Sequence, residues 1–474
     1  MLINKERRPM ANVMQLILLA YILIQPVLDL LVFIGLPVST LVRAAVIPAG
    51  MLYILFFLKG NQKKYVVGYF VLLLIYFGMH TILNYYLKDP FSITFELQNI
   101  VKTIYFPTVM FVYYTFFKQY FSKSSLKQWL PLVFTINLAF ISLIVFLAGV
   151  TDTGKRTYGF LEKEGQTGWF FSGNELSAIM TMILPFVVIY LLRKTNFIQQ
   201  IIVFFVIVLS MWAMLTVGTK VTLIGVVVSA GLGLVLSIAR LRHKQWLNFI
   251  LMILLIIGLV GFIPSSPIGN NLGLALETSE NDSAAQEEED SESSGSGGSE
   301  EIESEDETTK QRFEESLSNI PMHSVLFSGR VGFMAESMQQ YVNAPTAQKA
   351  FGMGRSGNYV SADSAKSIEM DFFDWFFNFG ILGFVILILP FFYMIAAYVR
   401  NIVRAGRSAF NMYAVTSLLC AGMGTGAAFI AGHVLSYPGA GLYLALVYAA
   451  LVGFSKKEND EYSVFNSKKI DRKW

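Results

Sequence analysis

About twelve apolar stretches, each near the ~20 residues that a helix needs to cross a bilayer, constrain this chain more than any other feature. They run approximately over 11–34, 38–58, 65–86, 97–117, 128–150, 173–192, 198–217, 220–239, 246–264, 368–398, 409–432 and 436–454. Of the 474 residues, 54% are hydrophobic and only 15% charged, with a mean hydropathy of +0.54. A soluble domain carries about 25% charged residues, and a soluble core of this size cannot hide so much apolar side chain. The composition therefore excludes a soluble enzyme, a nucleic-acid-binding domain and a disordered protein. The expected fold is an all-α polytopic membrane protein. Its 40 Phe and 22 Tyr suit lipid-facing and interfacial positions. The single cysteine, Cys420, excludes an intramolecular disulfide and a Cys-based metal cluster. The first apolar run is long enough to span, so no cleavable leader is expected.

Basic residues fall in every second connection. The series runs Lys5, Arg7 and Arg8; Lys59, Lys63 and Lys64; Lys118, Lys123 and Lys127; Arg193 and Lys194; Arg240, Arg242 and Lys244; Arg400, Arg404 and Arg407; Lys456 and Lys457. By the positive-inside rule these connections face the cytoplasm. Both termini, including a tail over 455–474, are then cytoplasmic. Residues 1–264 hold spans one to nine, and 368–454 hold spans ten to twelve. Between them, 265–367 form a large extracytoplasmic loop; a smaller one covers 151–172. Between Glu277 and Glu307 the large loop has 14 acidic residues and no Lys or Arg, leaving 19 acids in the rest of the chain against all 36 bases. Such a like-charged tract stays solvated, so 265–310 is expected to be disordered. Its spacing fits no calcium loop. Residues 311–367 are expected to be ordered and helical. No internal repeat is visible.

With this orientation, the ionisable residues of the spans lie almost entirely in the outer half: Asp29, Arg43, His80, Glu96, Lys102, Glu175, Lys220, Glu369, Asp371, Asp374 and His433. Intramembrane ionisable groups are costly and usually functional, so the set suggests a polar cavity open to the outside. The alternative is that each one snorkels to water.

Residues 326–383 carry the most chemistry. Gly352, Gly354 and Gly357 permit tight turns and close backbone approach. Arg330 and Arg355 offer planar, permanently charged donors for phosphate, or partners for the acids Glu369, Asp371 and Asp374. Those acids open a span, where they can act as a base, bind hydroxyls or complement the helix dipole. Three acids this close could also bind Mg²⁺ or Mn²⁺. Of the histidines, His243 belongs to a basic loop, His80 reads as a packed span residue, and His323 and His433 face outward, where either could touch substrate. Their scatter makes no zinc site.

The order of these features resembles the O-antigen ligase and polymerase superfamily, whose members are polytopic glycosyltransferases acting on polyprenyl-diphosphate-linked glycans. Gly329-Arg330, Pro345, Gly352-Met-Gly354 and Gly380-Ile-Leu-Gly383 match the family pattern. Eleven residues before Gly380, where the family has its catalytic His, this chain has Glu369, and Met370 stands for the following Asn. Upstream, Phe171-Ser-Gly-Asn174 resembles the family's Phe-x-Pro-Asn, and Gly218-Thr-Lys220 falls where the family often has Ser-Arg. The resemblance covers about residues 170–455. It implies a donor glycan on a polyprenyl diphosphate, a sugar hydroxyl as acceptor, and transfer with inversion at the outer face of a bacterial plasma membrane. Arg330 and Arg355, then Lys220 and Arg43, would steady the departing diphosphate. Glu369 would be the base, with Asp371 in reserve. Asp374, Asn174, Gly352 and Gly354 would contact substrate. No metal or other cofactor is then required, because cations replace it. Expected partners are the donor, the glycan acceptor, membrane lipids and other surface-polysaccharide assembly proteins; no nucleic acid is expected. The rival class is a transporter or flippase for a lipid-linked glycan or a small solute, for which repeats and broken midplane helices would be the signs. A third class, a scaffold for polymer assembly, has no specific support.

Overall fold

The computed structural model describes residues 3–120, 126–159, 162–193, 196–241, 246–277, 330–358 and 367–456. Outside them lie most of the acidic tract, Gly329, His243, His323 and the tail beyond Lys456. The helices are α1 (Ile3–Phe33), α2 (Val38–Phe57), α3 (Asn61–Leu87), α4 (Ile93–Tyr120), α5 (Leu126–Val150), α6 (Gly173–Leu191), α7 (Phe197–Val217), α8 (Lys220–Arg240) and α9 (Trp246–Phe262). Then follow α10 (267–277), α11 (Val331–Asn343), α12 (Thr346–Phe351), α13 (Asp371–Ala405), α14 (Met412–Ile430) and α15 (Pro438–Phe454). Among the described residues, 11 helices are long and apolar enough to cross a membrane, and α15, with 17 residues, is only slightly shorter. The all-α polytopic fold is thus present, with a small antiparallel ribbon added in the 151–172 loop, β1 (Lys155–Arg156) with β2 (Gln166–Gly168).

The disordered tract was expected from residue 265, yet 267–277 is helical. The reason is local composition: residues 267–276 contain no acid, and the charge run begins only at Glu277.

Helix α15 is central: every residue from Gly439 to Phe454 is buried. Its sequence has no charged residue, and Gly and Ala recur along it, so neighbouring backbones can come close. A Cβ on Gly453 would lie 2.9 Å from Phe117 Cβ on α4. The facing wall of α4 supplies Tyr105, Phe106, Tyr113 and Phe116, all fully buried. Phe106 stacks on Phe391 of α13 at 5.1 Å, and Phe391 meets Tyr448 of α15 edge-on at 5.3 Å. In contrast, α1, α2 and α9 expose Leu16, Leu41, Phe56, Ile257 and Val260, a surface suited to lipid.

Most of the interior charge gathers at one end of the bundle. There Arg43 of α2 pairs with Asp29 of α1 at 2.5 Å and lies 5.6 Å from the Tyr437 ring centroid before α15. His80, Glu96 and Asp371 are fully buried, and Asp29, Arg43 and Glu175 nearly so. These groups are enclosed by the rest of the chain and not by the surrounding solvent, so snorkelling does not describe them.

Candidate active site

The site is built on a break in α13. Gly380 has φ 64 and ψ −174, which no helix contains. A break leaves the carbonyls before it without their usual partners. Other segments supply donors: Met353 N–H bonds to Phe377 O at 3.0 Å, and Gly354 N–H to Asn378 O at 3.0 Å. The Tyr76 hydroxyl bonds Phe379 O at 2.5 Å and Phe351 O at 2.8 Å. The glycines make this docking sterically feasible. A Cβ on Gly352 would lie 2.1 Å from Asn378 O, one on Gly380 2.5 Å from Gly352 N, and one on Gly383 2.2 Å from the Tyr76 hydroxyl. Gly352-Met-Gly354 and Gly380-Ile-Leu-Gly383 are therefore two halves of one backbone lock.

A buried carboxylate holds the far side of that lock. Glu96 Oε1 accepts from Arg355 N–H at 2.7 Å and lies 3.5 Å from Lys88 Nζ; its Oε2 lies 3.4 Å from His80 Nε2. His80 Nδ1 donates to Phe351 O at 2.6 Å, Asn84 Nδ2 to Gly352 O at 3.1 Å, and Lys88 Nζ to Arg355 O at 2.9 Å. A Cβ on Gly354 would lie 2.4 Å from Glu96 Oε1. Burial pulls the Lys88 ammonium down to about 8, although Glu96 pulls the other way. Sequence reasoning missed Tyr76, Asn84 and Lys88 and gave His80 only a packing role. The signal was present: 76, 80 and 84 recur every fourth residue along α3, and 88, one interval on, caps its end.

Residues 368–371 lead into α13 and present Glu369. Asp374 reaches back from the first turn, accepting from Ile368 N–H at 3.0 Å and Met370 N–H at 3.2 Å. Asp371 accepts four bonds from the loop before α15: Val434 N–H at 2.7 Å, Leu435 N–H at 2.9 Å, Ser436 N–H at 3.2 Å and the Ser436 hydroxyl at 2.6 Å. Between these anchors Glu369 adopts φ 65, and His433 across from it φ 57. Side chains in this region carry strain of order 1–3 kcal/mol, and such strain clusters at functional sites. Gly432 lies so close that a Cβ there would be 2.0 Å from Glu369 O.

The Glu369 carboxylate is 44% exposed, with Arg330 Nη2 and His433 Nε2 each 3.7 Å from its Oε2. Burial lowers the affinity of His433 for its proton, but the bond to Glu369 and the charges of Asp371, Glu369 and Asp374 outweigh it and raise its pKa. Arg330 caps α11, and its Nε is buried without a hydrogen-bond partner among the described residues. Lys220, at the start of α8, feels the charges of Arg330 and Lys163. The left-handed Gly218 and the Thr219 cap set that turn, and Tyr158 ties to it through Gly218 O at 3.1 Å.

The structure thus joins Arg330 to Glu369 and brings Lys220 into electrostatic reach of Arg330. Arg355 takes its contacts elsewhere: its guanidinium lies 4.5 Å from the Phe95 ring centroid. Arg43 is engaged by Asp29 and by Gln25 at 3.1 Å. Asn174 Nδ2 donates to Ala431 O at 3.4 Å, steadying the loop that carries His433. Asp371 and Asp374 direct their oxygens at backbone donors, and Gly352 and Gly354 pack against α13 and Glu96. Among the described residues no group of three or more His, Cys, Asp or Glu is placed to hold a metal ion.

No match was found among curated proteins. The model of one protein family, described as O-antigen ligase like membrane protein, matches residues 11–458, nearly the whole chain and well beyond the stretch that carries the motifs. The eleven membrane-length helices among the described residues accord with this match: the chain belongs to the family of O-antigen ligase like membrane proteins.

Proposed function

We propose that this membrane protein transfers or polymerises a polyprenyl-diphosphate-linked glycan onto a sugar acceptor at the extracytoplasmic face of a bacterial plasma membrane. Both termini would be cytoplasmic, and 265–367 would be the outer loop between spans nine and ten. The observation that carries this reading is the half-exposed Glu369 carboxylate, held in a strained turn beside Arg330 and His433.

A diphosphate is already a good leaving group, so the demand on the protein is positive charge at the departing oxygens. Arg330 and Lys220 supply it. Glu369 takes the proton of the acceptor hydroxyl. The acceptor oxygen bonds to the anomeric carbon, the bond to the diphosphate oxygen breaks, and the polyprenyl diphosphate leaves with the electron pair. One such displacement inverts the anomeric centre. Asp371 is the weaker candidate for the base, because four donors already occupy its oxygens. Asp371 and Asp374 instead hold the two segments that frame Glu369. The cations do the work a metal would do, so transfer is metal-independent.

The test uses purified protein in detergent, where no compartment exists to transport across. Wild type should elongate or transfer the lipid-linked glycan with a chelator present, and Glu369→Gln and Arg330→Gln should not. Full product from both variants would overturn the mechanism; no product from wild type, with vesicle-dependent movement of the lipid-linked glycan, would favour the flippase.

A further inference from the structure

Away from Glu369, a second set of phosphate-type donors stands without an acceptor among the described residues. Phe95, Asn99 and Lys102 share one face of α4, at positions i, i+4 and i+7. The Arg355 guanidinium covers Phe95 and lies within electrostatic reach of Lys102. Neither Arg355 nor Lys102 makes an ion pair among the described residues. The neighbouring acid, Glu96, is occupied by the Arg355 N–H, Lys88 and His80. Glu175 reaches Lys102 only through its field and makes no ion pair with it. Between the two cations, Asn99 Nδ2 is buried with no hydrogen-bond partner among the described residues. Lys102 is exposed although it lies inside a membrane-length span. Unpaired like charges beside a membrane are costly, and a bound anion would offset that cost. Phe95 and Lys102 are roughly 10 Å apart along the helix axis, a gap that two long side chains can close around a phosphate or diphosphate. A planar guanidinium with an ammonium and an amide donor suits its oxygens.

We propose that Arg355, Asn99 and Lys102 form a second phosphate-binding site, separate from Arg330 and Lys220, that takes a lipid-borne phosphate ester. Two sources have that chemistry: the polyprenyl diphosphate of an acceptor glycan, and the headgroup of a bilayer phospholipid. Naming the acceptor as occupant rests on the glycan-transfer reading; the phosphate site itself does not.

The experiment is equilibrium binding of labelled polyprenyl diphosphate to the full chain in zwitterionic nanodiscs. Wild type should hold two molecules per chain. Arg330→Gln should leave one, and the Arg355→Gln/Lys102→Gln double variant should also leave one. Lys102→Gln alone should weaken the second site roughly tenfold or more, while Lys102→Arg should retain it, which separates lost charge from lost fold. In the Arg330→Gln background, displacement of the probe by equimolar phosphatidylglycerol would assign the site to a bilayer headgroup. Retention would assign it to the acceptor's diphosphate. Wild-type stoichiometry and affinity in the double variant would overturn the proposal, as would an equal loss in Lys102→Arg and Lys102→Gln. Two molecules still bound by Arg330→Gln would instead fault the donor site and leave this one standing.

Discussion

Glu369 and Glu96 have nearly the same company and opposite situations. Each carboxylate faces one histidine and one cation: His433 and Arg330 at 3.7 Å for Glu369, His80 at 3.4 Å and Lys88 at 3.5 Å for Glu96. Glu96 is 1% exposed and also accepts a backbone N–H; Glu369 is 44% exposed and sits in a strained turn. The difference teaches that residue type does not decide role here. The buried triad has every oxygen committed and fastens a loop. The open triad has long, weak pairs and a carboxylate that a substrate hydroxyl can reach.

The largest expected effect would break that contrast directly. Glu369→Gln should lower transfer by roughly 10²–10⁴-fold while leaving the melting temperature in detergent near that of wild type. If the variant unfolded instead, Glu369 would be a fastener like its counterpart. Glu96→Ala should do the reverse, costing about 3–5 kcal/mol because Lys88 and His80 stay buried without their acid. A normal thermal melt for Glu96→Ala would remove it from the fold's support.

Two smaller effects sharpen the contrast through pH. The folded chain releases the Lys88 proton near 8, the unfolded chain near 10.5. Between those values the unfolded state binds more protons, so stability should rise with pH, by about 3 kcal/mol. Lys88→Met should remove that rise from melts taken across the window. His433 works with the opposite sign. Its folded pKa is raised above 6.5, so its pairing with Glu369 contributes fully below that value and fades as pH climbs through the folded pKa. Because the pair is half-open to solvent, His433→Gln should change stability by less than about 1 kcal/mol, measurable as the difference between melts at pH 5.5 and pH 8.

Much of the fold was legible because span length and apolarity are properties of single segments. Limits expected at 173–192 and 246–264 meet helices Gly173–Leu191 and Trp246–Phe262. The helix over 267–277 was hidden by the acidic run that follows it. At the site, Arg330 and Glu369 were legible as motif positions, and the structure brings them together. What could not be read was which acid faces what. Asp371 is two residues from Glu369 in sequence, yet it points into the 434–436 loop, a partner 63 to 65 residues away. Gly352 and Gly354 were read as substrate contacts, whereas their neighbours are other parts of the chain. Lys88, and the fastening role of Glu96, escaped because the segment they fasten lies more than 250 residues downstream.

The interlock of Gly352 with Gly380 has an evolutionary consequence. A side chain on Gly352 would run into the backbone of Asn378 and Phe379, and one on Gly380 into Gly352 N and Ala350 O, so neither can mutate without parting the 352–354 loop from the broken helix. Lineages descended from this chain should therefore keep both glycines for as long as they keep the lock. A descendant with alanine at either of them would have to carry a rebuilt loop.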